Sequence, residues 1–122
     1  MQAQTYQDAS RTLLAQGFAE LNQGDTRQAS EKGWGATAQM LKCIAEQRGW
    51  EHKGHRLIRR VASRLADETG DAEIRRLYRV ADSLHINFYE DVDTVEDVAA
   101  GLEDIGRFLD KLDPLAHTIN QT

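Results

Sequence analysis

Cysteine and proline are nearly missing from this sequence: Cys43 and Pro114 each stand alone in 122 residues. A single cysteine excludes an internal disulfide framework and fits a reducing, cytoplasmic setting. A single, late proline leaves the preceding chain without its strongest helix breaker. No apolar run approaches the roughly 20 residues of a membrane-spanning helix, so no membrane partner is expected. The opening "MQAQTYQDAS" lacks the basic and apolar regions of a signal peptide. Also missing are a Gly-rich phosphate loop and a Gly-x-Ser-x-Gly nucleophile turn, which excludes the commonest nucleotide-hydrolase and serine-hydrolase signatures.

What is present reads as one all-helical domain. Charged residues make up 29% and hydrophobic residues 40%, a globular balance. The length allows one core but not two ordinary ones. The net charge of −5 is unevenly spread. Residues 1–47 carry −1, residues 48–79 carry +4 and residues 80–122 carry −8. The basic third could meet phosphate, although the field of the whole molecule does not draw nucleic acid from afar. An ordinary solvated face has the same composition.

Periodicity and caps predict five helices. The first runs from about Thr5 to Asn22, with Tyr6, Leu13, Leu14, Gly17, Phe18 and Leu21 at helical spacing. Gly24 suits a left-handed turn. Asp25 then caps a second helix ending at Arg48 before Gly49, with Gln28 at capping-box spacing. A third follows "GWEHKG", carries Leu57, Ile58, Val61 and Leu65, and stops at Gly70. Asp71 caps a fourth, reaching about Tyr89. The fifth begins near Asp93 or Thr94 and ends at Leu112 before Asp113-Pro114, leaving 114–122 as a tail. Its Val95, Val98, Leu102, Ile105, Leu109 and Leu112 form a continuous seam. Short loops make the architecture an up-and-down helical bundle of four to five helices.

The fourth helix carries two stripes. Ile74, Leu77, Ala81, Leu84 and Phe88 form an apolar seam; Tyr78, Asp82, His85 and Tyr89 form a second row. At the α-helical angle per residue, the second row lies roughly 100° from the first. It therefore borders the core. Asp82, three residues before His85, could orient the imidazole. Arg75 and Arg79 point out beside the same row, Arg79 roughly 120° from His85. A histidine can act as acid or base near neutral pH, and an arginine can hold a phosphate. These are the types that metal-free RNA cleavage needs. The same residues also fit a helix-boundary histidine bonded to a backbone carbonyl or to Asp82.

Two further stretches stand out. "EKGWGA" places Gly33 and Gly35 inside a helix, each costing about 1 kcal/mol relative to alanine. Close helix packing beside Trp34 explains them. A ligand cleft lined by Glu31, Lys32 and Trp34 against the fourth helix is compatible with that. "HKGH" has a His-x-x-His spacing, but no cysteine or carboxylate pair completes a tetrahedral metal site. His52 and His55 read as loop or cap histidines. No metal and no cofactor is expected.

"LNQGDTRQASEKGWGATAQMLKCIAEQRGWEHKGHRLI", then "LYRVADSLHINFYED" and a final amphipathic helix, resembles the HEPN superfamily, in its PaREP-type branch. The resemblance covers roughly residues 9–112. It implies a compact helical bundle, often a homodimer, that binds nucleotide or RNA. Many members of that superfamily are metal-independent endoribonucleases of toxin–antitoxin or defence systems. Others are non-catalytic scaffolds or accessories of a partner such as a nucleotidyltransferase. The catalytic arginine and histidine of active members map onto Arg79 and His85, with Val80 where a polar residue is usual. The resemblance also points to Asn87, Tyr89 and Glu90 as further site residues, and to a cleft shared by two copies.

Overall fold

The computed structural model describes the backbone of residues 2–118 and the side chains of residues 6–116. Five helices follow one another: α1 (Gln2–Asn22), α2 (Thr26–Arg48), α3 (His55–Thr69), α4 (Ala72–Glu90) and α5 (Val95–Thr118). They form a compact helical bundle, with no strand among the described residues.

The boundaries follow local chemistry. The Asp25 carboxylate accepts the Gln28 N–H at 3.0 Å, and the Asp71 carboxylate accepts that of Glu73 at 3.0 Å. Each satisfies a donor that a helix start leaves orphaned. Thr94 and Asp97 exchange hydrogen bonds, both at 3.1 Å, and so close the start of α5. Gly49 and Gly70 end α2 and α3 in the left-handed region, at φ 71° and 70°.

Helix α2 is the central element and packs against all four others. Its small residues allow this: Ala29, Gly33 and Ala36 bring neighbouring helices close, while Met40, Leu41 and Ile44 fill the space further along. The α5 seam is buried from Val98 through Leu112, with Phe108 added, whereas Val95 is 44% exposed. In α4, Ile74, Leu77, Ala81 and Leu84 are buried. Leu84 fits a notch between α2 and α5, where a Cβ on Gly33 would come within 2.9 Å of it and one on Gly101 within 3.0 Å.

The predicted stop before Pro114 is not observed: α5 continues through the proline. Proline removes one N–H donor and crowds the carbonyl one turn back. Here packing overrides that local penalty. Ala116 is fully buried and Leu115 packs on the core. From α1, Gln7 donates to Asp113 at 3.1 Å, and Arg11 bonds Asp110 at 3.0 Å and Asp113 at 3.2 Å. The end of the predicted tail lies outside the described residues.

Candidate functional site

Three helices bring one aromatic and ionisable cluster together at the border of the core. Trp34 of α2, 8% exposed, forms its floor. The His85 ring of α4 lies nearly parallel to it, with centroids 4.8 Å apart and planes at 26°. His55, the first residue of α3, meets Trp34 edge-on at 4.9 Å and His85 at 5.3 Å. Tyr89 closes the far side of His85 at 5.5 Å and is itself 68% exposed.

Each imidazole has its own carboxylate. His85 Nδ1–H donates to Glu31 Oε1 at 3.0 Å. That contact leaves Nε2 as the nitrogen open to chemistry. His55 Nε2 stands 2.8 Å from Asp82 Oδ1. This is a close polar contact whose angles fall outside those of a hydrogen bond. The expected pairing of Asp82 with His85 is therefore replaced by a crossed arrangement. Glu31 reaches His85 from α2, while the shorter Asp82 meets the histidine that α3 brings across.

Tyr78 links this cluster to a second surface. Its ring edge meets Trp34 at 6.1 Å. It also lines a cavity with Arg59, Ser63, Arg75 and Arg79. Its hydroxyl is buried and has no hydrogen-bond partner. Burial first, then the charge of Asp82, push that hydroxyl well above the ordinary tyrosine range, and Arg59 acts in the opposite direction.

The structure thus gathers His85, Glu31, Trp34 and Tyr89, with Asp82 joined through His55. Other candidates lie elsewhere. Arg79 is exposed on the adjoining face of α4 and lines the Tyr78 cavity. Lys32 faces α1 beside Gln16, Ala19 and Glu20. Asn87 is 1% exposed and serves as a strut. It donates to Ser30 Oγ at 2.9 Å and accepts the N–H groups of Val92 and Asp93, both at 2.9 Å. That fixes the turn into α5 rather than offering the amide to a ligand.

Sequence reasoning passed over His55, taken as a loop or cap histidine. The available signal was its position opening a helix whose next turn carries Arg59. His52 does behave locally, pairing with Glu46 at 2.6 Å.

Chemically, two adjacent imidazoles, each beside a carboxylate, can exchange protons with one bound group, and the exposed Tyr89 offers a ring for a planar one. The model of the archaeal PaREP1/PaREP8 family matches residues 5–109. A crystal structure of a Sulfolobus solfataricus protein is similar in fold, with TM-score 0.73 over 94% of this chain and 96% of that one, at 18% identity. A comparison with curated proteins gives no match.

Proposed function

The chain belongs to the archaeal PaREP1/PaREP8 family, and from that premise we propose that it is a HEPN-type bundle that binds nucleotide or RNA and cleaves RNA without a metal. One observation carries the reading: His55 and His85, each beside a carboxylate, meet edge-on with ring centroids 5.3 Å apart against Trp34. A histidine used only for packing needs one partner. Two adjacent imidazoles, each with its own acidic partner, suit paired proton transfer.

In the proposed reaction, neutral His85 takes the proton of a ribose 2′-hydroxyl through Nε2. The 2′-oxygen attacks the adjacent phosphorus. Protonated His55 gives its proton to the departing 5′-oxygen. The products are a 2′,3′-cyclic phosphate and a free 5′-hydroxyl. Glu31 positions the His85 ring, and Asp82 stands beside His55. Arg79 is the cation for the phosphorane, reaching from the face that shares Tyr78. Tyr89 stacks against a base, while Trp34 supports the two histidines from below.

The test is cleavage of a mixed RNA pool in excess EDTA by wild type, His85→Ala and His55→Ala, with helicity checked by circular dichroism. Wild type should cut and leave cyclic phosphate ends. Each folded variant should lose about 100-fold or more, the scale of a general acid or base. Absence of cleavage by folded wild type would sink the nuclease reading.

A second reading, a non-catalytic dimerising scaffold or an accessory to a nucleotidyltransferase-type partner, is favoured by a separate observation. Ile86, Tyr89, Val92 and Val95 are 46%, 68%, 72% and 44% exposed around the α4–α5 turn. Neighbouring apolar groups of this size commonly mark an interface. Two copies meeting there would share a cleft. Light scattering at tens of micromolar, wild type beside Ile86→Glu, decides whether a dimer forms through this patch.

A further inference from the structure

We infer that the cavity between α3 and α4, lined by Arg59, Ser63, Arg75, Tyr78 and Arg79, is a binding site for a terminal phosphate, the phosphomonoester group of a nucleotide or of an RNA 5′ end. This rests on the nucleotide- or RNA-binding part of the reading above and shares Arg79 with it, but it does not depend on cleavage.

The cavity has a volume of about 110 Å³. That leaves room for one four-oxygen anion in a hollow bordered by exposed arginines. Its walls are formed by three arginines, Ala62, Ser63 and the side chain of Tyr78. Arg75 is already positioned, donating to Ser63 Oγ at 2.7 Å and bonding Asp67. Arg59 and Arg79 have no hydrogen bond or ion pair among the described residues. Two uncompensated arginines beside a third are unexpected in a chain of net charge −5, because neighbouring like charges repel unless an anion sits between them. The carboxylates nearby are Asp67 on Arg75 and Asp82 beside Tyr78.

The Tyr78 hydroxyl is the independent sign. Tyr78 is only 5% exposed, and its buried oxygen lacks any partner. Buried hydroxyls are nearly always bonded. Tyr78 lines the cavity, and a small turn of its ring would bring the hydroxyl onto a bound phosphate oxygen. Guanidinium forks match the edges of a tetrahedral phosphate bidentately. A terminal phosphate brings three free oxygens and up to two charges, against two oxygens and one charge for an internal diester. Three arginines therefore favour the chain end or the mononucleotide.

The test uses the full chain and calorimetry with inorganic phosphate, AMP, adenosine, and one short RNA made with a 5′-phosphate and with a 5′-hydroxyl. AMP should bind where adenosine does not, and the 5′-phosphorylated RNA should bind about tenfold or more tighter than its 5′-hydroxyl twin, the scale of one or more charge-assisted hydrogen bonds. Arg59→Gln, at an exposed position without a structural partner, should remove that preference, and Tyr78→Phe should reduce it. Inorganic phosphate binding as well as AMP would identify the anion alone as the ligand. Preference for the RNA would identify the chain end. The preference is read from binding alone, so a protein that never cuts RNA still tests the cavity. Equal binding of the two RNAs, or an unchanged preference in Arg59→Gln, would overturn the inference.

Discussion

Alanine at Gly33 and at Gly35 should move stability in opposite directions, although the two positions are two residues apart in α2. Each substitution recovers about 1 kcal/mol of helix propensity. At Gly35 the new methyl would meet Leu13 Cδ1 at 3.4 Å, an ordinary contact at the α1 boundary. The gain should survive, leaving Gly35→Ala more stable by about 0.5–1 kcal/mol. At Gly33 the methyl would fall 2.8 Å from Leu102 Cδ2 and 2.9 Å from Leu84 Cδ1. Neither leucine has room to retreat. Leu102 is fully buried, and Leu84, 3% exposed, already abuts Gly101. Overpacking of this kind costs about 1–3 kcal/mol. Two contacts below 3.0 Å place the cost in the upper part of that range. After subtracting the helix gain, Gly33→Ala should lose about 1–2 kcal/mol, or a Tm fall of roughly 3–10 °C for a domain of this size. Urea and thermal unfolding by circular dichroism read both variants. Adding Leu84→Ala should relieve part of the clash, so the double variant should be more stable than the sum of the singles by about 1 kcal/mol. A Gly33→Ala protein as stable as wild type would refute the packing account. The consequence reaches the site, because Trp34 is the next residue and carries both histidines.

Asn87→Ala should cost about 2–4 kcal/mol in urea unfolding, since three hydrogen bonds are lost around a buried amide; a loss below about 0.5 kcal/mol would contradict its role as a strut. The hydrogen bond from Lys111, then the Glu73 backbone N–H, hold the Asp71 carboxyl below its ordinary range. A lowered folded pKa means this stabilisation is present above the unfolded value and is lost as pH falls through the folded one. Asp71→Asn should therefore flatten the acid limb of Tm against pH, and an unchanged slope would refute the assignment. Burial, then the charge of Asp113, push the Cys43 thiol up to about 11. At mildly alkaline pH a disulfide reagent should leave it unmodified in the native protein and label it in urea; rapid native labelling would contradict its burial.

The candidate site was legible only in parts. His85 and its row with Tyr78, Asp82 and Tyr89 could be read from helical spacing, and Trp34 and Glu31 from two glycines that needed an explanation. Arg79 was joined to His85 by residue type and by family resemblance, at roughly 120° around the helix. Only the tertiary structure shows that Arg59 and Arg75 lie beside it in one cavity. His55 was passed over because thirty residues separate it from His85, and no local window contains both.

By itself the sequence determined the helices, their caps and their apolar seams. These depend on short-range causes: backbone conformation at Gly49 and Gly70, side chains that satisfy the first N–H groups of a helix, and the period of buried residues. Tertiary structure alone decided that α5 runs through Pro114, where burial of Ala116 and contacts from α1 outweigh a local penalty. It also decided which carboxylate meets which histidine, and which arginines converge beside Tyr78. Those pairings are set by how closely and at what register helices pack. Here that depends on small residues such as Gly33 and Gly101 admitting Leu84, a fit between distant segments that no single stretch of the chain encodes.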